Sequence, residues 1–273
     1  MPVLTREELQ NDLIGSWILL AIITLGIIAY GVRVLRRGEE LHFDRVNQQG
    51  GSALLSLRVM EMAYWNFGFI GRFFFRLNIA PTTISFASLL FAALSGWVAA
   101  YGFFGSAGFL FAVSGAMDAI DGMVARMHGV RPAGGAVVDS SVDRYSDFFL
   151  PAGVAIYYHH SVPILIICLA AIMGSFMISY STAKAEILKI TPPRGTMKRT
   201  ERVVYLIGGA ILTPMAALLV NSSPFSWLPV QGMLMVLATL LIAVMANGSA
   251  IHRITAIIRT ANQRQADKSN APS

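Results

Sequence analysis

The sequence predicts an all-α integral membrane protein with seven spanning helices and one further helix lying in the interface. Three observations carry that prediction. Only 13% of the 273 residues are charged while 55% are hydrophobic, and mean hydropathy is +0.60; a soluble domain carries roughly 25% charged residues, so this chain lacks the surface to face water all round. Four runs, Leu13–Val32, Leu77–Met117, Phe148–Ala183 and Val203–His252, contain no Asp, Glu, Lys or Arg. The last three each break near the middle, at Gly102–Gly108, His159–Pro163 and Asn221–Pro229. Because one span needs about 20 apolar residues, each of these runs holds two.

The first span is expected near 13–33. It has no basic leading segment, and Arg33, Arg36 and Arg37 follow it as a stop signal, so it reads as a retained anchor rather than a signal peptide. The linker Arg33–Gly51 is charged and polar, closes with Gln48-Gln49-Gly50-Gly51 and is expected to be flexible. Residues 53–76 mix Leu54, Leu57, Met60, Met62 and Trp65 with Arg58, Glu61, Arg72 and Arg76. That mixture suits an amphipathic helix in the interface, the alternative being a short, partly buried helix linking two spans. The run Phe73-Phe74-Phe75 is expected to face lipid. Six further spans follow near 82–101, 107–127, 138–158, 163–187, 203–220 and 230–254. The polar end, Gln263–Ser273 above all, is expected to be disordered. Three segments result: an anchor and linker at 1–52, a membrane domain at 53–258 and a polar tail at 259–273.

Charge placement predicts the orientation. The mid-run breaks are uncharged, and the cations cluster at the opposite helix ends, in Arg33–Arg76, Lys184–Arg202 and the C-terminal tail. Lys and Arg in short loops mark the cytoplasmic side. The N-terminus, with Arg6 against Glu7, Glu8 and Asp12, is net acidic and expected outside. The formal charge of +6 is then mostly a basic cytoplasmic face suited to anionic lipids and phosphorylated substrates. Nucleic acid is a poor partner for a chain without a basic soluble domain. The one cysteine, Cys168, lies within a predicted span and rules out an intrachain disulfide.

The chemistry is concentrated in Asp118, Asp121, Asp139 and Asp143, at the cytoplasmic edge of two predicted spans. Carboxylates near lipid are costly and usually functional. On a helix, Asp118 and Asp121 share one face, as do Asp139 and Asp143, and Met127–Gly134 reads as the tight turn between them. Two antiparallel helices would present both pairs to one point. Hard oxygen donors of this kind suit Mg²⁺ or Mn²⁺ rather than zinc, and two such ions could clamp a diphosphate during displacement. Gly122 and Ala125 leave room for a ligand beside the helix backbone. The plainer alternative makes the aspartates helix caps paired with Arg126, Arg131 and Arg144; four acids with both glycines at these spacings argue against it. His128 is expected to face solvent in the turn, and Asp147 to support Arg144 or Tyr145 rather than bind metal.

The pattern D-x2-D-G-x2-A-R-x8-G-x3-D-x3-D, from Asp118 to Asp143, resembles the signature of the CDP-alcohol phosphotransferases at every position. The resemblance covers roughly 53–255, and Pro81-Thr-Thr-Ile-Ser85 resembles the family's P-N-x-x-T entry to its first spanning helix, with Thr82 and Ser85 replacing Asn and Thr. It implies six spanning helices preceded by an interfacial helix, with the first helix of this chain an addition. It also implies transfer of a phosphatidyl group from CDP-diacylglycerol to an alcohol, with CMP leaving. By the same resemblance Asp118, Asp121, Asp139 and Asp143 hold two Mg²⁺ or Mn²⁺ ions and Asp143 is the general base. Ser85, Asp118, Gly122, Ala125 and Arg126 border the CDP group, and the enzyme is a homodimer in a bacterial or archaeal cell membrane.

The stretch Gly135 to Asp147 resembles the G-x-x-x-D-S-x-x-D-R-x-x-D form of phosphatidylinositol-phosphate and archaetidylinositol-phosphate synthases, and Gly195 to Arg202 resembles their G-x-x-x-R-x-E-R. Arg144, Lys184, Arg199 and Arg202 are the expected acceptor-phosphate ligands, Arg offering a forked donor. The stretch Ser179 to Glu186 departs from S-Y-x-R-A-R-A-E, with Thr182 and Lys184 where arginines are usual. Inositol phosphate leads as acceptor, followed by glycerol phosphate. For Arg199, Glu201 and Arg202 the alternative is an ordinary positive-inside cap on a helix starting near Val203. Two other readings of the whole chain remain: an intramembrane prenyltransferase, whose aspartate motifs normally lie farther apart, and a cation transporter, which expects acids near the bilayer middle.

Overall fold

In the computed structural model, residues 4–37, 57–129, 133–191, 193, 195, 197–221 and 232–269 are described. Every regular element among them is a helix: α1 Arg6–Arg37, α2 Leu57–Arg76, α3 Pro81–Ala100, α4 Phe104–Met127, α5 Ala133–Tyr157, α6 Val162–Ile187, α7 Arg199–Asn221 and α8 Met233–Ser269. Seven of them match the expected spans. Six are long and apolar enough to cross a membrane. The exception, α5, has 25 residues but carries Asp139, Asp143, Arg144 and Asp147 in its first half, and it packs along α3 and α6. The linker beyond Arg37 and the turn at 222–231 lie outside the described residues.

Local chemistry sets the helix ends. Pro81 opens α3 at its first position, where a missing N–H costs nothing. Between α3 and α4, Gly102 has φ +90° and leaves no room for a side chain, since a Cβ would fall 2.5 Å from the Tyr157 ring. In α7 the carboxylate of Glu201 accepts the backbone N–H of Lys198 at 2.7 Å, half of a capping box. This starts α7 at Arg199, one turn before the expected Val203.

Helix α4 is the hub, packed against α1, α2, α3, α5 and α7. The main core gathers Phe104 and Phe111 of α4, Leu150 and Val154 of α5, Leu206 of α7 and Met235 and Ile242 of α8. Small residues let backbones approach where lipid gives no hydrophobic drive between helices. A Cβ on Gly96 would collide with Phe149 O, and one on Gly153 would strike Gly96 O. Buried polar contacts add to the packing: Ser95 donates to Ala107 O at 2.8 Å and Asn247 to Ala170 O at 2.8 Å.

Helix α1 docks mainly through its first half, where Leu9, Asp12, Leu13, Ser16 and Leu19 are buried. Asp12 is 1% exposed, and its two carboxylate oxygens accept the backbone N–H groups of Gly105 and Ser106, each at 2.8 Å. These are orphan donors in the first turn of α4, whose own N-cap, Phe103, offers no side-chain acceptor. Ser16 donates to Ile211 O of α7 at 3.0 Å. Toward the other end Arg33 lies over the Trp65 ring of α2 at 5.7 Å. Asp12, one of the acids of the N-terminal segment, is therefore a buried cap on α4.

Three further expectations are corrected. The polar end is helical through Ser269 rather than disordered from Gln263. Ile257 packs with Ala185 and Ile190, and Arg264 donates to Leu188 O and Lys189 O at the end of α6, so tertiary contacts hold the segment despite its polarity. Phe74 is partly buried against Ile84, Ile120 and Val124, while Phe73 and Phe75 are exposed as expected. His128 does not face solvent alone: its Nδ1 lies 2.9 Å from Val124 O and its ring stands edge-on to Phe75 at 4.8 Å.

Candidate active site

The C-terminal end of α4 and the N-terminal half of α5 bring the acids together. Asp118, Asp121 and Asp139 each place a carboxylate oxygen so that all three lie within 4.8 Å of one another. At that separation each charged pair repels by roughly 3–4 kcal/mol for an effective dielectric of about 20, repulsion that a cation at the shared locus would relieve. Asp121 is buried and accepts a 2.5 Å hydrogen bond from Ser85 Oγ of α3. That contact fixes the carboxylate orientation, as outer hydrogen bonds commonly do for metal ligands. Asp118 is half-buried and Asp139 exposed, which leaves the cluster open to the polar side. Oxygen-only donors, a shared locus and an oriented buried member fit Mg²⁺ or Mn²⁺.

Asp143 stands one helical turn beyond Asp139 and is not one of the three that converge. Its Oδ1 lies 2.9 Å from Arg199 Nη1, which also contacts Asp118 Oδ2 at 2.6 Å. Arg199 Nε reaches Asp147 Oδ1 at 3.2 Å, and the other Asp147 oxygen takes Arg202 Nη2 at 2.7 Å. The partners of Asp147 are therefore arginines of α7, not its neighbours Arg144 or Tyr145. Arg202 is 3% exposed. An ordinary positive-inside cap would reach toward water, and this side chain does not.

A cavity of about 460 Å³ opens beside Asp143. Its wall includes Arg144, Asp147, Ser179, Thr182, Lys198, Arg199, Arg202 and Arg253. Of the expected acceptor ligands, Arg144, Arg199 and Arg202 meet here. Lys184 does not: it is exposed, with Nζ 5.5 Å from the Tyr180 ring centre. Two residues beyond Thr182 on α6, a side chain has turned well away from the cavity, which explains the divergence. Of the residues expected to border the nucleotide, Gly122 and Ala125 are half-buried beside Asp121, and Arg126 is exposed at the end of α4.

Sequence reasoning missed Arg253. It comes from α8 and donates from Nη2 to Thr182 Oγ1 at 2.9 Å. Its sequence signal was only that of the first cation after a charge-free run, indistinguishable from a membrane boundary.

The family model for CDP-alcohol phosphatidyltransferase matches residues 78–245, a span that holds the aspartates and most of the helices around them. The chain belongs to the CDP-alcohol phosphatidyltransferase family. It is a multi-pass membrane enzyme of that class, and α1 and α2 precede the matched span. Among its relatives, the archaetidylinositol phosphate synthase of Aeropyrum pernix is 34% identical over 152 residues, 50% of this chain and 75% of that one. The phosphatidylinositol phosphate synthase of Mycobacteroides abscessus is 31% identical over 145 residues, 50% of this chain and 64% of that one. The fold is similar to the crystal structure of Mycobacterium tuberculosis phosphatidylinositol phosphate synthase with CDP-DAG bound, with TM-score 0.58 and 23% identity over 69% of this chain and 91% of that one. The same enzyme is also known in complex with manganese and citrate, again with TM-score 0.58 and 23% identity, over 69% and 87% of the two chains.

Proposed function

We propose that this transferase moves a phosphatidyl group from CDP-diacylglycerol to a phosphorylated polyol, with inositol phosphate the leading acceptor, and releases CMP on the cytoplasmic side. The observation that carries this reading is the cavity beside Asp143, whose wall bears Arg144, Lys198, Arg199, Arg202 and Arg253. A wall with five cations suits a phosphate, and its volume suits a small sugar-like alcohol. The relatives named for inositol phosphate lipids support the same acceptor, as does the Arg at position 144.

In this reading Asp118, Asp121, Asp139 and Asp143 hold Mg²⁺ or Mn²⁺. A divalent ion held there would supply positive charge against the diphosphate and the departing CMP oxygen. Ser85 keeps Asp121 turned toward the cluster. Gly122 and Ala125 give the nucleotide close access to α4, with Arg126 at its edge. The cavity arginines hold the acceptor phosphate so that its hydroxyl faces Asp143, which accepts the proton as that oxygen bonds to the lipid-linked phosphorus and the bond to CMP breaks. Most of the acceleration comes from positioning and fixed charge. Arg253 supplies a guanidinium next to Thr182, where the resembling synthases carry an arginine on α6 itself. A second copy of the chain and the surrounding lipid are the expected partners.

The test is CMP release by the purified protein in detergent with CDP-diacylglycerol and Mg²⁺ or Mn²⁺. Inositol 1-phosphate, glycerol 3-phosphate, inositol and serine are offered separately, with Asp143→Asn as control. Release with inositol 1-phosphate alone, abolished by the substitution and by chelation, is the expected result. Release only with glycerol 3-phosphate moves the chain to phosphatidylglycerol-phosphate synthesis, and release with none of the four refutes this assignment of donor and acceptors.

A further inference from the structure

Arg199 touches both halves of the site. Its Nη1 lies between Asp118 and Asp143, at 2.6 and 2.9 Å, while its side chain also forms part of the cavity wall. Its Nε rests on Asp147 at 3.2 Å, and Asp147 is held in turn by the buried Arg202 at 2.7 Å. With Asp118 and Asp143 both in the metal set, the guanidinium lies against carboxylates that a divalent cation would also need. A guanidinium and a dication cannot share them without strong repulsion.

We propose that Arg199 is the resident counter-cation of the metal-free site, that it is exchanged for the divalent ion, and that it then turns about Asp147 into the acceptor cavity. The inference rests on the reading that Asp118 and Asp143 belong to the metal set. Arg199 offers one charge to two places, so metal loading hands a cation to the acceptor site. Binding of metal and of a phosphomonoester is then positively coupled, and the coupling is reciprocal. Arg199 acts here as a positioning residue that decides the order of assembly, in addition to contributing charge.

Calorimetric titration of Mn²⁺ into the full chain in detergent, without donor lipid, tests this. Expected is a Mn²⁺ affinity about tenfold tighter in Arg199→Gln than in the parent, and less than about threefold tighter in Lys198→Gln, since competition for the ligands acts beyond long-range charge. Saturating inositol 1-phosphate or glycerol 3-phosphate is expected to tighten Mn²⁺ binding by about fivefold or more in the parent and not in Arg199→Gln. Arg199→Lys, which keeps the charge and removes the guanidinium fork, is the second variant should the glutamine protein not fold, and it too is expected to bind Mn²⁺ more tightly than the parent. Unchanged affinity in the folded Arg199 variant, an equal effect from Lys198→Gln, or coupling that survives the removal of Arg199 would each overturn the exchange. A parent protein whose Mn²⁺ binding is absent, or is indifferent to Asp121→Asn, overturns the metal reading itself and the exchange with it.

Discussion

Asp147→Asn removes a carboxylate from a pair whose other member has nowhere to go. Arg202 is 3% exposed, and its Nε and Nη1 are buried without hydrogen-bond partners, so the 2.7 Å ion pair with Asp147 is the compensation for its buried charge. Breaking a buried pair from one side costs about 3–5 kcal/mol, because the remaining charge stays desolvated. The same substitution weakens the 3.2 Å ion pair with Arg199, whose side chain is 28% exposed; after solvent screening this adds at most about 1 kcal/mol. The Arg202 contribution therefore dominates. Taking the lower bound, about 3 kcal/mol at roughly 2–4 °C per kcal/mol, the melting temperature should fall by about 6–12 °C. The assay is intrinsic-fluorescence melting in one detergent for the parent, Asp147→Asn, Arg202→Met and the double variant. The double variant should be much less destabilised than the two single effects added together, since replacing a buried pair by groups without charge is often neutral. A melting temperature for Asp147→Asn within about 1 °C of the parent, or strict additivity in the cycle, would refute this account of the pair.

Other outcomes follow from the same geometry. Asp12→Ala leaves the Gly105 and Ser106 N–H groups without their acceptor and should cost about 2–4 kcal/mol, with Asp12→Asn recovering part of it, read as thermal stability in detergent. Gly153→Val should force α3 and α5 apart at Gly96, lowering stability by at least about 1–3 kcal/mol, visible in melting and in the yield of monodisperse protein. Arg253→Gln should raise KM for the phosphorylated acceptor by about tenfold or more while leaving KM for the CDP-lipid within about twofold, as expected when a charge-assisted hydrogen bond confined to the acceptor cavity is removed.

The spans and the acid cluster were legible because both are written locally. Charge-free runs report lipid directly, and Asp118/Asp121 and Asp139/Asp143 are placed by helical spacing alone. What escaped depends on pairings between distant segments. Asp12 looked like one acid among several at a polar end, and only its distance to Gly105 and Ser106, across more than ninety positions, shows it to be a cap. Arg253 looked like a boundary cation until α8 packed along α6 and turned it onto Thr182. That Asp143, outside the three that converge, shares Arg199 with Asp118 depends on where α7 begins, and Glu201 fixes that through the Lys198 N–H. The polar end was misjudged for a related reason: its composition says disorder, but Arg264 finds the bare carbonyls of α6.

The cap that Asp12 places on α4 also bears on how the chain is put together. A buried donor left without an acceptor costs about 1–3 kcal/mol, so the first turn of α4 is completed only with Asp12 in place. Helix α1 precedes α4 in the chain and carries that acceptor, so synthesis delivers the cap before the segment that needs it. Helix α4 then carries Asp118 and Asp121 into position with its far end already secured. Through Asp12 the N-terminal helix is thus tied to the same helix that carries Asp118 and Asp121 at its other end.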